Sequence, residues 1–146
     1  MNYRFFSRTA LALCVVLASA VAAFAQQNVG ERIFYMDASE DSFRSFERNA
    51  QYIDIIGPQC LKVDEDGVVW GGVDKRVAAV AKKHNVKIMP LIVNPGFNQE
   101  MLHKVLMSRE AQERCVSTLV ELCRKEGWYG IQYDFENIHV SDRDAF

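Results

Sequence analysis

From residue 26 onward the sequence reads as an α/β fold, a parallel sheet covered by helices. Three observations predict this. Short apolar runs alternate with longer stretches of helical period; turn and cap residues punctuate them; and the order is β-α-β-α-β-α-β with no internal repeat or low-complexity linker. An open doubly wound sheet and a (β/α)8 barrel both satisfy that order, and periodicity does not separate them.

The elements follow in sequence. Arg32 to Met36 is a first strand, ending at Asp37, and Phe43, Phe46 and Ala50 at helical spacing predict a helix over Ser42–Gln51. Tyr52 to Gly57 is a second strand, broken at Pro58. Val63 to Trp70 reads as a hairpin with Asp66-Gly67 as its turn. Asp74 caps a helix to His84, with Val77, Val80 and Ala81 on its apolar stripe and Asn85 to close it. Val86 to Val93 is the third strand, and Asn94-Pro95-Gly96-Phe97 the loop after it. Asn98 caps a short helix to Met107, and a longer one spans Ser108–Glu126, with Ala111, Cys115, Leu119 and Leu122 on one face and Gly127 as its stop. Tyr129 to Glu136 is the fourth strand, and Ser141–Phe146 reads as the start of another helix. Four βα units are half of a barrel that typically needs about 250 residues, so the chain reads as a piece of a longer protein.

The N-terminus sets the compartment. Arg4 and Arg8 form a basic region, Thr9 to Val21 is almost unbroken apolar sequence, and Ala23-Phe24-Ala25 supplies the small-x-small pattern of a cleavage site. This is the pattern of a secretory signal peptide over residues 1–25, too short to remain as a membrane span. Cleavage after Ala25 leaves 121 residues, 26–146, with a net charge of −4, because the leader holds two of the seventeen Lys+Arg and none of the nineteen Asp+Glu. A mildly acidic, secreted or periplasmic domain without a basic patch points away from nucleic acid and from stable membrane insertion. Cys14 leaves with the leader. Cys115 and Cys123 lie about 12 Å apart along one helix, too far for a disulfide; Cys60 could pair with either, although small apolar thiols are the favoured reading. No spacing suggests a metal site, and His103 and His139 read as solvated.

Chemistry concentrates on the fourth strand. Alternation over Tyr129-Gly130-Ile131-Gln132-Tyr133-Asp134-Phe135-Glu136 puts Gln132, Asp134 and Glu136 on one face and Ile131, Tyr133 and Phe135 on the other, under helices. The two carboxyls fall about 7 Å apart along the strand. Burying them costs several kcal/mol unless they pair with each other or with a ligand. Two close carboxyls do not readily ionise together, so one keeps its proton to higher pH, which is what a general acid requires.

The run YGIQYDFE resembles the DGxDxDxE signature of glycoside hydrolase family 18, the chitinase-like enzymes, with Asp134 on its last aspartate and Glu136 on its catalytic glutamate. DFENI is similar to the spore-germination and cortex-lytic branch, and so are DIIGPQ at the second strand and KIMPLIVN at the third. Tyr129 and Gln132 depart from the first two aspartates; Gln132 can still hydrogen-bond Asp134. The resemblance implies a (β/α)8 TIM barrel, of which this chain holds roughly the first four βα units. It also implies a retaining hydrolase that uses the substrate's own acetamido oxygen as nucleophile. Glu136 would be its acid and Asp134 the residue that orients the acetamido group. The expected substrate is a β-1,4-linked N-acetylglucosamine polymer, chitin or peptidoglycan, with no metal or other cofactor. A carbohydrate-binding barrel that does not cleave is the alternative. Asp37, Gln59 and Asn94, at strand ends, join Gln132 as expected sugar contacts, and Trp70 and Phe97 as rings on which a sugar could stack. Taken alone, half a barrel is expected to be inactive, with unpaired sheet edges.

Overall fold

The computed structural model describes residues 30–146; the expected leader, 1–25, lies outside the described residues. Strands β1 (Ile33–Met36), β2 (Ile55–Val63), β3 (Val69–Gly71), β4 (Lys87–Ile88), β5 (Leu91–Val93) and β6 (Gln132–Asp134) form one six-stranded sheet. Helices α1 (Glu40–Asn49), α2 (Lys75–His84), α3 (Gln99–Met107) and α4 (Arg109–Glu126) connect them. The main path runs β1-β2-β5-β6, parallel at every step, with β4 also parallel to β2. Neighbours in space are therefore neighbours in sequence. A doubly wound sheet reverses its strand order at a switch point, so this order is that of a barrel wall, and the architecture is a partial (β/α) barrel.

Helix ends carry side-chain caps, at Asp74 and Asn98 as expected and also at Ser39 and Ser108, so that α1 starts at Glu40 rather than Ser42. Ser39, Asp74, Asn98 and Ser108 each accept a hydrogen bond from a backbone N–H of the first turn, and Asn85 and Gly127 close α2 and α4 in left-handed conformation. Strand bounds differ more from expectation. Strand β2 does not stop at Pro58 but runs on to Val63, where it pairs antiparallel with β3 as the expected hairpin. Pro58 is tolerated because it pairs with Met36, the last residue of β1, so the missing N–H costs the ladder little. The third strand is split at Met89-Pro90 into β4 and β5. The fourth shrinks to three residues, because the chain leaves the sheet after Asp134. Residues Val140–Asp142 form a single 3-10 turn where a helix start was expected.

Apolar side chains seat the helices on the sheet's outer face in two clusters. Met36 and Ile56 pack under α1 and α2 with Phe43, Phe46, Val77 and Ala81. Leu61, Val63 and Ile92 pack under α4 with Cys115 and Leu119. A bulge between Gln59 and Leu61, which pair with the consecutive residues Leu91 and Ile92, makes this possible. Simple alternation would put Gln59 and Leu61 on the same face; the extra residue, Cys60, turns Leu61 into the core and leaves Gln59 on the opposite, inner face. The three described cysteines are free thiols, and burial pushes Cys60 and Cys115 up to about 11. Among the described residues no helix is long and apolar enough to cross a membrane.

The inner face depends on one absent side chain. A Cβ at Gly57 would lie 2.8 Å from the Tyr35 ring and 2.9 Å from Leu91 Cδ1. Gly57→Val is therefore expected to destabilise the fold by about 1–3 kcal/mol through overpacking, measurable as a lower urea midpoint at unchanged m-value. Unaltered stability would mean that Tyr35 does not need that space.

Candidate active site

Strands β1, β2, β5 and β6 surround a cleft of about 490 Å³ lined by Tyr35, Asp37, Gln59, Leu91, Gln132 and Asp134 among others, with Asp37 just past the carboxyl end of β1 and Asp134 at that of β6. This is the end of the sheet at which barrel enzymes place their sites. Two long-range hydrogen bonds organise it. The Tyr35 hydroxyl on β1 donates to Gln132 Oε1 on β6 at 3.0 Å, and Gln59 Nε2 donates to Asp134 Oδ2 at 2.9 Å. Strands β1 and β6 are three steps apart, about 14 Å in a flat sheet. Side chains standing off the sheet bridge that distance because the sheet curls toward them. Gly57, directly opposite Tyr35 in the β1–β2 register, leaves room for the ring.

Some expected contacts are rearranged. Gln132 does not bond Asp134; it serves Tyr35, and Gln59 takes its place at the carboxylate. Asp134 and Glu136 do not form the expected pair either. No hydrogen bond joins their carboxyls among the described residues, since regular pairing ends at Asp134 and Glu136 lies beyond it, exposed. Tyr133, expected under a helix, is 45% exposed, because β6 is the last strand of the described sheet.

Asn94 is the clearest departure. Expected as an open sugar contact, it is 1% exposed. Its Oδ1 accepts from the Glu136 backbone N–H and its Nδ2 donates to the Glu136 carbonyl, both at 2.9 Å. Asn137, next in the chain, has φ of 59° and donates to the Phe97 carbonyl, while Gln99 donates to the Asn137 carbonyl. The loop after β5 thus grips the backbone on either side of the candidate acid. Phe97 is half-exposed at this junction. Trp70 lies on β3 opposite Lys62, half-exposed and outside the cleft lining.

Sequence reasoning did not find Tyr35, whose position on an apolar strand carries no polar signal. Nor did it find Asp142, which is 1% exposed, with Oδ1 2.8 Å from His103 Nδ1 and 2.9 Å from the Ser141 hydroxyl that donates to it. Burial pushes the Asp142 carboxyl up, but the hydrogen bonds from His103 and Ser141 outweigh it and hold the group below its ordinary value. His103 and His139 are exposed, as expected, and also take part in this network, His139 through Ser141. Among the described residues no group of His, Cys, Asp or Glu side chains has the arrangement of a metal site.

No family model matches the chain. It is 25% identical to the uncharacterized glycosylase YvbX of Bacillus subtilis (strain 168) over 122 residues, 80% of this chain and 36% of YvbX. The spore cortex-lytic enzyme SleL of Bacillus cereus superposes with a TM-score of 0.69 at 18% identity, covering 80% of this chain and 31% of SleL. A chitinase from Chromobacterium violaceum gives a TM-score of 0.69 at 17% identity, covering 80% of this chain and 39% of the chitinase. These structural likenesses show a shared fold, a partial (β/α) barrel, over about 80% of the chain. It spans between 31% and 39% of the length of these three proteins.

Asp37 lines the cleft and is also tied into its own turn. Hydrogen bonds from the Ser39 hydroxyl, then Ser42 and the Ser39 N–H, lower its carboxyl from 3.8 to about 2. A carboxyl depressed in the folded state contributes stability that is fully present above its unfolded value and lost as pH falls through the folded one. Asp37→Asn should lower the Tm at neutral pH and flatten the wild-type loss of Tm between about pH 4 and pH 2. Thermal melts across that range decide it; parallel curves would sever Asp37 from the acid transition.

Proposed function

We propose that this chain is part of a secreted glycoside hydrolase that cleaves β-1,4-linked N-acetylglucosamine-containing glycans, chitin or peptidoglycan, by substrate-assisted retention. The observation that carries the reading is the polar cleft in which Gln59 donates to Asp134; Glu136 stands exposed two residues further along the chain. The likeness to glycosylases and chitinases supports it, and secretion rests on the leader pattern of residues 1–25.

In this mechanism the carboxylic acid of Glu136 donates its proton to the glycosidic oxygen as the bond to the anomeric carbon breaks. The carbonyl oxygen of the substrate's 2-acetamido group attacks that carbon from the opposite face, giving a positively charged oxazolinium ion. The Asp134 carboxylate accepts a hydrogen bond from the acetamido N–H, turning its oxygen toward the anomeric carbon and offsetting the positive charge. Glu136, now ionised, takes a proton from water, which opens the ring with net retention. Gln59 holds Asp134 in line for this task, and its amide cannot remove the charge by proton exchange. The remaining polar positions of the cleft, Asp37 and Gln132 with Tyr35, meet sugar hydroxyls.

A binding-only reading draws on Gln132, an amide where the family signature carries a carboxylic acid. Release of reducing ends from chitin oligomers or peptidoglycan by the full-length protein separates the two. Glu136→Gln should lower turnover by about 10²–10⁴-fold, the usual worth of a general acid, while oligosaccharide affinity persists. Saccharide binding by wild type with no turnover would establish the lectin instead.

A further inference from the structure

We propose that Asn94 is the positioning residue of the candidate acid, its buried amide standing in for a strand partner and fixing the Glu136 backbone just beyond the end of β6. This rests on the hydrolase reading given above.

The parallel ladder between β5 and β6 ends at Val93 opposite Asp134. Beyond it the β5 chain turns away through Pro95, which has no N–H to offer, into a 3-10 turn with Gly96 in left-handed conformation. Main chain therefore cannot extend the ladder to Glu136. The Asn94 side chain does so instead: its carbonyl oxygen and amide nitrogen, on one edge of one planar group, meet the N–H and C=O of Glu136 at 2.9 Å each.

Few other side chains can make this exchange. Asp lacks the donor and would set a carboxylate against the Glu136 carbonyl; Leu and Ala offer neither partner; Gln places the amide one methylene further out. Exposure of 1% means that water cannot replace the lost bonds without opening the site. On the far side, Asn137 is held by Phe97 and Gln99, so Glu136 is fixed at both its own peptide groups and the next. A solvent-facing sugar contact would have none of these features.

General-acid catalysis depends on distance more steeply than binding does, and a displacement of about 1 Å can cost about 100-fold. Asn94→Asp and Asn94→Ala in the full-length protein should thus lower kcat on chitin oligomers by about 100-fold with KM nearly unchanged. Exchange of the Glu136 backbone amide, followed by NMR, should accelerate while amides of β2 and β5 keep their protection. If Glu136→Gln abolishes turnover but both Asn94 variants retain wild-type kcat, the positioning role is overturned and the hydrolase reading stands. If Glu136→Gln retains full turnover, the hydrolase reading falls and this role falls with it. A rise in exchange across the whole sheet, with kcat and KM changing together, would make Asn94 a structural residue only; Asn94→Asp, nearly equal in size, guards against mistaking a collapsed Ala variant for that result.

Discussion

The curl of the parallel sheet is the constraint on which the site depends. Tyr35 and Gln132 stand on strands that a flat sheet would hold about 14 Å apart, yet their polar ends meet at 3.0 Å. Tyr35 is more than half-exposed, so the bond orders the inner face rather than relieving a desolvation cost. The curl in turn needs room on its concave side, and Gly57 provides it by omitting the side chain that would strike both Tyr35 and Leu91. A backbone property, a missing Cβ and a hydrogen bond between residues 97 positions apart are thus one arrangement.

The two faces of this sheet answer to different demands, and the β2 bulge reconciles them. The convex face must be continuous and apolar to seat the helices, and Leu61 and Ile92 are fully buried there. The concave face must keep polar groups near the strand ends. A regular strand would carry Gln59 and Leu61 to the same side; the extra residue sends one to the cleft and the other to the core. The hairpin beyond the bulge is fixed against α4, where Gly67, with φ of 77°, approaches Ala111 too closely for any Cβ and Arg114 donates to the Asp66 carbonyl.

Local chemistry was legible in the sequence, and long-range partnership was not. The caps at Asp74 and Asn98 could be read because an N-cap acts within three residues of itself. The Asp66-Gly67 turn was equally local. Strand limits were misread at Pro58 and Pro90, where the outcome depends on which neighbour would have received the missing hydrogen bond. The candidate acid and its aspartate stood out as a polar row on an apolar strand, but their partners did not. Gln59 lies 75 positions from Asp134, and Asn94 lies 42 from Glu136. An asparagine at a strand end looks the same in sequence whether it faces a ligand or a buried backbone. Only the parallel pairing of β5 with β6 tells the two apart.

The way rigidity is distributed bears on what the cleft is for. A site that only binds glycans gains from complementary hydroxyl contacts and stacked rings, and modest shifts of its side chains cost little. Here the contacts are spent on the protein itself: an amide on Asp134, a two-bond grip on the Glu136 backbone, and a left-handed Asn137 tied to the loop after β5. The rings of Trp70 and Phe97, which would stack on sugars, are half-exposed and do not line the cleft. Holding a carboxyl in place to a fraction of an ångström adds little to affinity and much to the rate of a proton transfer. This division of effort supports the catalytic reading proposed for the cleft, in which affinity matters less than the placement of one carboxyl.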